Sequence, residues 1–127
     1  MIFVDTNIFL RYFTRSDNPD VQNMERLAAR LIDDVERGLE TITTSEVVLH
    51  EIAFVLMSDR HYKLDHRIVA GFLRTIVSLP GMRLARGEKS LYLRAIEILG
   101  DNPGLGMADC LIAARSERLG IPLATFD

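Results

Sequence analysis

The sequence predicts a three-layer α/β/α sandwich with a short, mostly parallel central sheet. Short apolar or β-branched runs alternate with amphipathic segments of 3.6-residue period along the whole chain. A chain of 127 residues, 48% of them apolar, is enough for one domain with a single core. No repeat, linker or low-complexity stretch interrupts the alternation, so residues 1–127 are read as one domain.

The first strand is Ile2-Phe3-Val4, an apolar run ahead of a polar break, expected to be buried on both faces. Asp5, Thr6 and Asn7 follow at once. Ligands of open α/β sheets bind beyond the carboxyl ends of the strands, so a carboxylate at residue 5 is well placed for a site. The plainer alternative is that Asp5 is a turn residue or helix N-cap. Ile8 to Arg15 is a short helical candidate. On it Arg11 and Arg15, four apart, share a face and can reach a phosphate near Asp5, or serve as solvated surface charges.

Asn18 suits an N-cap and Pro19 the first helical position. Val21, Met24, Leu27, Ala28, Leu31, Ile32 and Val35 then mark an amphipathic helix that Gly38 terminates. Thr41-Ile42-Thr43 is the second strand. Thr43 with Glu46 fits a capping box for the next helix, about Ser45 to Asp59. That helix is apolar nearly all round, which implies burial. Glu51 stands out because it shares the side of Val48 and Val55, and a buried carboxylate needs a partner, a proton or a metal. The alternative is a glutamate bent out to the surface.

Leu64 to Leu79, capped by Asp65, is a helix with Ile68, Val69, Phe72, Leu73 and Ile76 on one face, ended by Pro80-Gly81. Met82 to Ala85 alternates as a third strand, and Glu88 to Leu99 is again helical. The breaker-rich loop Asp101 to Gly106 leads into a helix from Met107 that Gly120 closes. Asp109 lies in its first turn, where the helix dipole alone favours a negative charge. Ile121 to Ala124 is the last strand, followed by Thr125, Phe126 and Asp127.

Composition limits the functions. No apolar run approaches the roughly 18 residues of a membrane span, and no basic segment marks a signal peptide. The single cysteine, Cys110, lies among apolar neighbours and reads as a buried structural thiol, so a cytoplasmic protein is expected. The net charge of -3 offers no basic stripe for nucleic acid. A local carboxylate cluster would account for the deficit.

Such a cluster is expected. Asp5 and Asp127 each follow a strand, Asp109 opens a helix, and Glu51 lies in the first turns of the helix after strand two. In a parallel sheet these points share one edge. Four converging carboxylates repel unless a cation joins them. Mg²⁺ or Mn²⁺ prefers such oxygen ligands, and no His/Cys spacing suggests zinc; His50, His61 and His66 read as structural or surface groups. A carboxylate cage with Mg²⁺ suits phosphodiester hydrolysis by metal-activated water. The sequence holds no Gly-rich phosphate loop, nucleophile elbow or Walker lysine.

Val4-Asp5-Thr6-Asn7, Glu51 within Val48 to Ile52, Asp109 within Ala108 to Ala114, and Leu123 to Asp127 closely resemble the PIN-domain family. Their order and the chain length look like VapC-type toxins of toxin–antitoxin pairs. The resemblance implies a Mg²⁺- or Mn²⁺-dependent endoribonuclease. Asp5, Glu51, Asp109 and Asp127 would hold the metal, and Asn7 and Thr125 would support the site. It also implies a homodimer and a small antitoxin partner. Similar proteins usually continue past the Thr-Phe-Asp motif, so a domain shortened at its C-terminus, or a naturally short member, is expected. A non-catalytic PIN-like module that binds RNA or protein is the competing reading. A receiver-type domain ranks last, since Asn7 stands where a second acid belongs and no strand-end lysine is present.

Overall fold

The computed structural model describes residues 1–126. Its order is β1 (Ile2–Phe3), α1 (Thr6–Phe13), α2 (Pro19–Glu36), β2 (Ile42–Thr43), α3 (Glu46–Met57), α4 (His66–Val77), α5 (Glu88–Asp101) and α6 (Met107–Leu119). β1 and β2 pair in parallel, with Ile2 opposite Ile42 and Phe3 opposite Thr43. Met82 adds one parallel bridge on the far side of Ile42. The expected third strand is therefore reduced to this bridge.

Two crossings hold the sheet together. The Thr44 hydroxyl donates to the Val4 carbonyl at 3.0 Å, which ties the ends of β1 and β2 at one level. Gly81 passes against the end of α2, where its N–H donates to the Val35 carbonyl. A Cβ at residue 81 would collide with the carbonyl oxygens of Glu40 and Val35, so only glycine fits.

The helix caps follow local chemistry. The Asn18 side chain accepts from the Asp20 N–H and the Asp65 side chain from the Arg67 N–H, both at 2.9 Å. Gly120, left-handed at φ 66°, closes α6. α3 is capped by Ser45, whose Oγ accepts from the Val48 N–H. Thr43 is not the cap, and Glu46 pairs with Arg115 at 2.8 Å.

The core centres on α3, which packs against α1, α4 and α6, while α5 packs between α4 and α6. Leu49, Ile52, Ala53 and Leu56 of α3 are fully buried, as are Leu73 of α4, Leu99 of α5 and Cys110 of α6. Each buried aliphatic of this kind contributes about 1.5–3 kcal/mol from removal of apolar surface.

Several expectations about burial change. Ile2 and Phe3 are 42% and 61% exposed; only Val4 is buried. β1 has one hydrogen-bonded neighbour among the described residues, so its second edge and much of its surface stay open. α3 leaves Val47 and Phe54 exposed, and Ile68, Met24 and Leu27 also face out. Residues 121–124 form no strand and are exposed. There Pro122 lacks a backbone donor, and the Ile121 carbonyl accepts from the Ser116 hydroxyl at 2.6 Å. No helix among the described residues is long and apolar enough to cross a membrane.

Candidate functional site

α1 begins at Thr6, two residues earlier than its apolar spacing suggests, because Asp5 adopts the extended backbone of an N-cap (φ -89°, ψ 168°). Its carboxylate makes no capping hydrogen bond and is exposed beyond the end of β1. The position is that of a cap, but the side chain is left available. Asn7 beside it is exposed as well.

Thr6 is buried and turns the other way. Its hydroxyl donates to Glu51 Oε2 at 2.8 Å, linking the start of α1 to α3 across 45 residues. Glu51 is exposed, not buried as its helical neighbours imply. Val48 and Ile52 are covered, while Glu51 between them faces out. The link brings Glu51 to the residue that follows Asp5.

Asp109 lies exposed in the first turn of α6, where its Oδ2 accepts from the Gly106 N–H at 3.3 Å. The helix-start role anticipated for it is therefore real, and it leaves Oδ1 uncommitted by that bond. Asp109 shares a cavity of about 270 Å³ with Leu105, Ile112, Leu123, Ala124 and Thr125. The structure thus brings Asp109 to Thr125 and Glu51 to Thr6. Among the described residues, no three of His, Cys, Asp and Glu stand together as a metal-holding group. Asp127 lies outside the described residues.

Arg11 is half-buried on α1. Arg15 is past the C-cap residue Thr14, so the two arginines do not share a helical face. The Arg15 guanidinium donates to the carbonyls of Tyr12 and Thr14.

Three features escaped the sequence reading. Arg115 of α6 bridges Glu46 and Glu88 and packs near Tyr92, whose phenol burial and the adjacent Glu88 carboxylate push above its usual range. Nothing local in the sequence joins residues 69 apart. His50 borders two cavities of about 200 and 320 Å³ between α3 and α6, and its buried Nδ1 has no hydrogen-bond partner among the described residues. Glu25 is buried on α2. Its spacing, four after Val21 and three before Ala28, places it on the apolar stripe and could have revealed it. Cys110 is the buried thiol expected; burial and then the Asp109 charge push its pKa up to about 11, which removes it as a nucleophile near neutral pH.

The side chains of Asp5, Glu51 and Asp109 offer only oxygen donors, which fit a hard divalent cation better than a soft one. Neither a curated protein nor a solved structure matches the chain. The PIN domain family does match, over residues 2–127. Its members are typically metal-dependent nucleases, and membership points to RNA as the molecule bound. The match spans nearly the whole chain: it belongs to the PIN domain family.

Proposed function

We propose that the protein is a Mg²⁺- or Mn²⁺-dependent endoribonuclease, the toxin of a toxin–antitoxin pair, acting in the cytoplasm as a homodimer held in check by its antitoxin. The Thr6–Glu51 hydrogen bond carries this reading. It ties the α3 carboxylate to the residue that follows the strand-end Asp5, whose own carboxylate is left without a capping bond. A structural salt bridge or cap would leave neither acid available.

In this reading Asp5, Glu51, Asp109 and Asp127 would hold the ion. Bound there, it would activate water and neutralise charge on the scissile phosphate. Thr6 fixes the Glu51 rotamer, since its donated hydrogen bond commits one carboxylate oxygen and leaves the other free. Asn7 and Thr125 would support the site, and Arg11 and Arg15 would supply positive charge for the RNA backbone.

The test is cleavage of single-stranded RNA with Mg²⁺ or Mn²⁺ and with EDTA. Cleavage should require the ion, and Asp5→Asn should lower it by at least about 100-fold, some 3 kcal/mol of transition-state stabilisation, with an unchanged circular dichroism spectrum. Full activity in EDTA or in Asp5→Asn sinks the proposal. The described acids do not by themselves make a three-ligand group. That observation favours a second reading, a non-catalytic module that binds RNA or protein. RNA binding with no cleavage in either ion would establish it.

A further inference from the structure

α3 ends at Met57, and the chain turns back over residues 58–65 before α4 begins at His66. The turn is closed by its own backbone. The Ser58 carbonyl accepts from the N–H groups of His61 and Lys63 at 3.1 and 3.0 Å, and the Leu64 N–H donates to the Leu56 carbonyl at 2.8 Å. Leu64 packs against the core. Lys63 sits in the left-handed region at φ 49°, and among the described residues it is the one non-glycine there. Elsewhere the chain carries glycine where φ is positive, at Gly38, Gly87, Gly104 and Gly120. An L side chain in that region is strained and glycine is not. The turn geometry favours glycine at residue 63, so a lysine there points to a use for its ammonium group.

Two arginines flank Lys63. Arg60, Lys63 and Arg67 are all exposed, and among the described residues their side chains enter no ion pair. Arg60 and Arg67 donate only through their backbone N–H groups, to Ser58 Oγ and Asp65 Oδ1. Arg67 stands in the first turn of α4, where the helix dipole disfavours a cation. Of the two acids in the stretch, Asp65 is committed to capping α4 and Asp59 is exposed. The arginines of α5 and α6 differ: Arg94 and Arg115 are spent on carboxylates, and Arg118 on the Gly87 carbonyl and the Ser90 hydroxyl. Tyr62, 42% exposed, lies between Arg60 and Lys63. The turn thus offers unspent cations for phosphates and an aromatic ring for a base. An acidic protein segment meets the cations but brings no base to the ring.

We propose that the turn between α3 and α4 holds single-stranded RNA: Arg60, Lys63 and Arg67 take phosphates, and a base stacks on Tyr62. Cations joined to an aromatic platform bind single strands with little sequence preference. Ser58 follows Glu51 by two turns of α3, about 10 Å at the helical rise. Ser58 also lines a cavity of about 200 Å³ with Gly106, whose N–H donates to Asp109. The turn therefore adjoins the helices that carry Glu51 and Asp109, and it holds the strand away from the bond that is cut. The inference rests on the ribonuclease reading for its substrate, but its test does not need cleavage.

The experiment titrates labelled oligoadenylate with the full protein in EDTA, by fluorescence anisotropy over a range of salt concentrations. Joint substitution of Arg60→Ala, Lys63→Gly and Arg67→Ala should weaken binding about tenfold or more. It should also flatten the slope of log K against log salt by about 2, at about 0.7 for each phosphate contact on a single strand. Tyr62→Ala should weaken binding about tenfold, and Tyr62→Phe should retain it. Lys63→Gly alone separates binding from folding: the melting temperature should rise as the strain is relieved, while RNA binding falls about threefold. Lys63→Gly binding RNA as tightly as the unsubstituted protein, or an unchanged salt slope in the joint variant, would overturn the proposal. So would polyglutamate displacing the RNA as readily as unlabelled oligoadenylate, which would mark a site for an acidic polypeptide. Binding that the joint variant loses, in a protein that cuts no RNA with either ion, would support the turn and remove the ribonuclease reading. Metal-dependent cleavage by a joint variant whose RNA binding is unchanged would do the reverse.

Discussion

Glu25 and Glu51 stand on two helices that both pack against α1, and their surroundings are opposite. Glu25 is buried with one oxygen unmatched. Glu51 is exposed, yet one oxygen is held by a buried threonine hydroxyl. Burial and hydrogen-bond satisfaction are therefore separate properties. An exposed, oriented carboxylate can exchange water for a cation at little desolvation cost, whereas a buried and unmatched one has already lost its water and gains from any donor that arrives. The first is open to a cation, and the second is closed to any ligand while its surroundings stay packed.

The contrast can be tested on each side. On the Glu51 side, Thr6→Val removes the orienting hydroxyl with little change of shape. Metal-dependent RNA cleavage should fall about tenfold, near 1.4 kcal/mol in the barrier, with Thr6→Ser restoring most of it. Cleavage unaffected by Thr6→Val would mean that Glu51 needs no orientation. On the Glu25 side, Glu25→Gln keeps an acceptor for the Ser16 N–H while removing the buried charge. Stability should rise by about 1 kcal/mol, a melting-temperature gain of a few degrees in thermal denaturation; a fall would show that the carboxylate is satisfied in solution.

The smallest effect concerns Asp109, whose charge acts on the buried Cys110. The thiol pKa lies at about 11 in the folded chain, above its ordinary 9.0. The folded state thus holds the thiol proton more tightly, so the stability tied to it is intact below pH 9.0 and is lost as pH rises toward about 11. Alkylation of the folded protein should stay slow up to pH 9, and Asp109→Asn should speed it slightly by lowering that pKa. Rapid modification at pH 7.5 would contradict the burial of Cys110.

Much of the architecture was legible locally. The Asn18-Pro19 start of α2, the Asp65 cap of α4 and the Gly120 end of α6 are one-turn events decided by neighbouring residues. The strand-end position of Asp5 and the helix-start position of Asp109 were legible for the same reason. Exposure was not. The burial of Ile2, Phe3, Val47 and Phe54 depends on what covers them, and hydrophobicity alone does not report the covering element. The apolar neighbours of Glu51 left both an interior and a surface position open and only packing chose the surface, while Glu25 sits among charged residues although its spacing places it on the apolar stripe.

The sequence by itself determined the family, the two parallel strands at residues 2–3 and 42–43 and most helix starts, because these rest on residue type and local spacing. Only the tertiary structure decided that Thr6 orients Glu51, that Arg115 belongs to Glu46, and that Glu25 has an oxygen without a donor. Each of these depends on groups far apart in the chain or on the shape of a packed surface, and neither is encoded in the spacing of any one segment.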